Sequence, residues 1–120
     1  MRTEPVSPLV AEWSEWLPFP DPRKGSLLIA PIGPGAFELR LGSTREGIML
    51  ATAKSVSGRI SALLPVEIAP VRRETGSRRQ YLAGNVEDLE YRVLGACSRA
   101  EARRLLLQPR RNDFRFGTDL

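Results

Sequence analysis

Between Pro34 and Leu64 the order of polar and apolar residues leaves this chain few choices of local structure. Phe37, Leu39 and Leu41 alternate with Glu38 and Arg40, the two-residue period of a half-buried strand. The run Gly42-Ser43-Thr44-Arg45-Glu46-Gly47 is turn-rich and leads into a second apolar run, Ile48 to Ala51. Together these predict an antiparallel hairpin with strands over 36–42 and 47–52. Ser55 stands where a helix N-cap belongs, and Val56, Ile60, Leu63 and Leu64 share one helical face before Pro65. A helix over 55–64 is therefore expected, packed on the hairpin.

The pattern returns near the other end. Leu89-Glu90-Tyr91-Arg92-Val93-Leu94 alternates again and predicts a third strand over 89–96. Ser98 and Glu101 have the spacing of a capping box, which starts a helix over 98–108 that Pro109 stops. Ser7 to Leu17 reads as a short N-terminal helix, with Leu9, Trp13 and Trp16 at helical spacing. Pro18, Pro20, Pro22, Pro31 and Pro34 make the following stretch extended, and Leu27 to Ala30 within it is expected to pair as a brief edge strand. Residues 65–85 read as a basic loop or a broken helix, and the Phe114/Phe116 tail as a short edge strand or coil. The expected fold is α+β: a small three-stranded antiparallel sheet flanked by helices, with an extra N-terminal helix. One domain over 1–120 is expected, with a lead-in over 1–33, a core over 34–112 and a tail over 113–120.

Composition narrows the chemistry. The chain has no histidine and one cysteine, Cys97, which removes Cys/His zinc sites, His-activated nucleophiles and an intrachain disulfide. No apolar run approaches the roughly 20 residues of a membrane span, and no secretory pattern opens the sequence, so a cytoplasmic protein is expected. The net charge of +4 is unevenly placed. Residues 1–69 hold seven Lys/Arg against seven Asp/Glu; residues 70–120 hold eleven arginines against seven acids. Guanidinium groups suit bidentate phosphate contacts, although a codon bias toward G and C would also favour arginine.

The order strand, turn, strand, helix, with Arg59 one turn into the helix, resembles the core of the GIY-YIG nuclease family. The family's two triplets stand here as Gly35-Ala36-Phe37 and Met49-Leu50-Ala51. Leu89 to Asn112 resembles the family's third strand, following helix and closing Pro-x-x-Asn, so the likeness spans about two-thirds of the chain. It implies the same α+β fold. It also implies a degenerate active site, because Phe37 and Met49 stand in the places of two tyrosines and Leu106, or a neighbour in Leu105-Leu106-Leu107, falls where a metal-binding glutamate belongs. The family's arginine is matched by Arg59. Glu101, the only carboxylate of that helix, is better explained as the capping-box partner.

Lys54, Arg59 and Arg40 are expected to line a concave basic surface, with Arg72, Arg73, Arg78 and Arg79 as further phosphate contacts. The leading expectation is a non-catalytic domain that binds nucleic acid through this arginine-rich face, without cofactor. A protein-interaction module that uses Trp13/Trp16 or Phe114/Phe116 is the second. The third is a divergent endonuclease using Tyr81, Tyr91 or Glu90, the one case that calls for Mg²⁺.

Overall fold

The computed structural model describes residues 13–64, 77–106 and 114–120. Its elements are β1 (Leu17–Pro18), a 3₁₀ turn (Pro22–Lys24), β2 (Gly35–Leu41), β3 (Gly47–Ala53), α1 (Val56–Ser61), α2 (Ser77–Gly84), β4 (Leu89–Gly95), α3 (Arg99–Leu105) and β5 (Thr118–Asp119). The class is α+β, with the expected hairpin and third strand in one sheet. That sheet has five strands rather than three, in the order β1-β4-β2-β3-β5. The three long strands are mutually antiparallel, and β5 joins β3 in parallel, so the sheet is mixed. No helix among the described residues is long and apolar enough to cross a membrane.

The two-residue alternation sorts β2 cleanly. Phe37 and Leu39 face one way, opposite Ala51 and Met49 on β3 and Val93 and Tyr91 on β4. This face carries the main core, to which α1 contributes Val56 and Ile60, α2 contributes Leu82, and the proline-rich segment contributes Phe19. Ala36, Glu38 and Arg40 face the other way. There α3 covers Ala36, Leu50 and Leu94 with Ala102 and Leu106.

Both serine-led helix starts form as the spacing predicts. The Ser55 hydroxyl accepts from the Gly58 amide at 3.1 Å. The Ser98 hydroxyl accepts from the Glu101 amide at 3.0 Å, while the Glu101 carboxylate reaches back to the Cys97 amide at 2.6 Å. Part of the basic stretch, read as a loop or broken helix, is helical over α2. Residues 65–76 lie outside the described residues.

The N-terminal helix is corrected. Residues 7–12 lie outside the described residues, and 13–18 run extended along the free edge of β4. The Ser14 amide donates to the Val93 carbonyl and the Phe19 amide to the Leu89 carbonyl, each at 2.9 Å, with β1 paired between them. Edge carbonyls of β4 accept from amides that the helical spacing had paired locally. Trp13 and Trp16 then lie over arginines: Arg40 sits 4.0 Å from the Trp16 centroid, and Arg92 sits 4.5 Å from Trp13. Leu27 to Ala30 does not form the expected edge strand either. Its backbone is held by a side chain, the Tyr91 hydroxyl, which accepts from the Ile29 amide at 2.9 Å and donates to the Ile29 carbonyl at 3.3 Å.

The tail lies along the opposite edge. Arg115 and Phe116 amides donate to the Gly47 and Ile48 carbonyls, each at 2.9 Å, before β5 pairs with Leu50 and Ala51. The strand expected at the Phe residues thus forms two residues later, with Phe114 and Phe116 packed on opposite clusters as anchors.

Candidate phosphate-binding cavity

Where β3 ends, the chain turns into α1, and the N-terminus of α3 comes alongside. The gap between them is an open cavity of about 340 Å³, lined by Thr52, Ala53, Lys54, Ser55, Gly58, Arg59, Ala62 and Arg99. Lys54 is exposed and Arg59 half-buried. The helical start capped by Ser55 places Arg59 one turn in. The capping box places Arg99 at the first residue of α3, across the gap.

The cations converge on one carboxylate. Arg59 Nη2 donates to Asp119 Oδ2 at 2.7 Å, and Arg99 Nη2 lies 3.9 Å from Asp119 Oδ1. The hydrogen bond from Arg59 holds the Asp119 carboxyl below its ordinary value. Partial burial opposes this, and the charges of Arg59, Arg99 and Arg78 reinforce it. Asp119 is therefore ionised throughout the neutral range. Behind it, the fully buried Thr52 hydroxyl accepts from Arg99 Nε at 2.9 Å and donates to the Leu120 carbonyl at 3.1 Å. The Thr52 bond holds the Arg99 guanidinium at Nε.

Lys54 and Arg59 are brought together as the sequence suggests, and Arg78 lies near enough to act on Asp119. Arg40 is elsewhere. It stands at the far end of β2, opposite Gly47, bound to Glu90 at 2.7 Å and stacked on Trp16. Arg72, Arg73 and the Arg79 side chain lie outside the description. Arg99, Thr52 and Asp119 were not singled out from the sequence. The signal available was the capping box itself, since its first helical residue must emerge beside the strand ends.

Phe37 and Met49, which the resemblance set in the places of two tyrosines, do not open on the cavity. Phe37 is fully buried and Met49 is 1% exposed, both inside the main core. Leu106 is buried against the sheet with Ala102, and the Glu101 carboxylate is engaged at the helix cap. The substitute groups are also apart from it. Tyr91 is buried at Ile29, where burial pushes its phenol above the ordinary value against the opposing effect of the Ile29 bond. Tyr81 packs edge-on to Phe116 at 5.5 Å, and Glu90 is paired with Arg40.

Compared with protein-family models, curated proteins and solved structures, the chain matches none.

Proposed function

We propose that this protein is a non-catalytic, GIY-YIG-like domain that binds nucleic acid through phosphate contacts at the Lys54–Arg59–Arg99 cavity. The observation that carries this reading is the convergence of three cationic side chains on one open cavity. Planar guanidiniums at the mouth of a cavity suit the bidentate recognition of phosphate oxygens. The loss of chemistry is supported by Phe37 and Met49, which bring no hydroxyl to the cavity, and by Leu106, an apolar side chain that cannot itself ligate a divalent cation.

Anisotropy titrations of duplex and single-stranded oligonucleotides test the reading. At low salt, binding at roughly 10⁻⁴ to 10⁻⁶ M is expected, weakening by about 0.9 log units per log unit of salt for each duplex phosphate neutralised. Arg59→Ala combined with Arg99→Ala should flatten that slope by about 1.8. No binding at low salt ends the proposal.

The same preparation is expected to leave plasmid and oligonucleotide substrates uncut with Mg²⁺ or Mn²⁺. General acid–base groups contribute about 10² to 10⁴ in rate, and none faces the cavity from Phe37 or Met49. Metal-dependent nicking that disappears in Arg59→Ala would reverse this conclusion.

A second reading, a protein-interaction module, is favoured by one observation. Leu27, Ile29 and Ile32 are 81%, 65% and 84% exposed within six residues of extended chain. It predicts association that survives high salt. Trp13, Trp16, Phe114 and Phe116 are each partly buried against the chain's own residues.

A further inference from the structure

Asp119 occupies the donors that a phosphate would need. We infer that β5 is an internal competitor at the cavity: the Asp119 carboxylate stands in for a nucleic-acid phosphate, and the arriving strand displaces residues 117–120. This inference rests on the phosphate-binding reading above. A carboxylate spanning two guanidiniums presents two oxygens to them, as a phosphodiester does. Here Oδ2 takes the Arg59 bond at 2.7 Å and Oδ1 faces Arg99 at 3.9 Å. The second distance is too long for a hydrogen bond, so Arg99 is attracted but not saturated by its internal partner.

The tether is built to release. Upstream, Phe114 and Phe116 are packed into the two core clusters and the chain is fixed along β3. Gly117 follows with φ of +73°, a conformation that glycine adopts without strain. Beyond it β5 pairs over only two residues, both exposed, and the Leu50 amide meets the Gly117 carbonyl at a long 3.4 Å. The Asp119 side chain is half exposed, so its ion pairs are weak enough for a polyanion to replace. Leu120 packs partly on the second cluster and its carbonyl accepts from Thr52 and Arg103, which returns the strap to place when no ligand is present. A site that is free only part of the time binds with an affinity reduced by that fraction.

The test is an anisotropy titration with a fluorescein-labelled DNA duplex at low salt, on the wild type, Asp119→Asn and Glu15→Gln. Glu15 is an exposed carboxylate on the strap along β4, at the opposite edge of the sheet, so its variant carries the same change in net charge. Asp119→Asn is expected to bind roughly fivefold tighter and Glu15→Gln less than twofold tighter, with the Asp119→Asn gain lost when Arg59→Ala is added. Hydrogen exchange at the Leu50 amide should also quicken when duplex is added to the wild type. Equal gains from the two neutral variants, or unchanged Leu50 exchange in a wild type that binds, would overturn the internal competitor and leave the phosphate reading standing. Absence of binding in both the wild type and Asp119→Asn would overturn both.

Discussion

Gly35→Ala is expected to lower the melting temperature by about 10 °C, the steepest loss from a methyl added at any described glycine. Gly35 opens β2 and is paired with Ala53 on one side and Gly95 on the other. A Cβ placed there would run into the Leu94 carbonyl oxygen and stand 3.0 Å from Val56 Cγ2. The first obstacle is backbone within the sheet, so it cannot rotate aside as a flexible side chain would. Relief requires moving β2 away from β4 or shifting α1, and overpacking of this kind costs about 3 kcal/mol. Gly84→Ala is the matched control. Nothing lies within 4 Å of a Cβ at the end of α2, so that variant should melt with the wild type. Thermal circular dichroism on the pair decides the matter; a Gly35→Ala protein within about 3 °C of wild type would contradict the close approach.

Phe37→Ala is expected to cost about 3–5 kcal/mol in urea unfolding, and Phe37→Tyr about 1–3 kcal/mol. The two losses have different causes. Alanine removes a ring that is wholly buried between Ala51 and Val93 and leaves a cavity among side chains already packed. Tyrosine keeps the ring but carries a hydroxyl into the main core, whose buried members around Phe37 are chiefly aliphatic and aromatic. Phe37→Tyr should therefore weaken the protein. A Phe37→Tyr variant as stable as the wild type would show that the hydroxyl had found a polar partner, and the account of Phe37 as sealed core would fail.

Local chemistry made the central elements legible. Alternation fixed β2 and β4 to within a residue or so, and two serine caps fixed the starts of α1 and α3, because these signals depend on neighbours a few residues away. Trp13 and Trp16 misled for the opposite reason. Their spacing fits a helix, but their partners are Arg40 and Arg92 on strands distant in sequence. An unsatisfied edge of β4 overrides that weak local preference. The site was legible in halves. Lys54 and Arg59 follow from the strand–helix junction, whereas Arg99 and Asp119 meet them only once α3 and β5 are folded onto the sheet. Arg40 could have been set apart by its place along β2, since it lies at the end next to the hairpin turn, away from the strand–helix junction.

Residues 14–19 along β4 and 114–120 along β3 leave the two long outer strands covered by the chain's own backbone. The covering is unequal in what it guards. Beneath the tail, β3 reads Gly-Ile-Met-Leu-Ala-Thr-Ala, seven residues with no charge and no proline. Such a run, once bared, has the composition that stacks into cross-β fibrils, and a free strand edge is the template from which stacking begins. The two-residue β5, with an aspartate opposite Ala51 and a glycine just before it, is too short and too charged to be such a template itself. By pairing along that edge, the tail denies another copy of this chain a free strand to join.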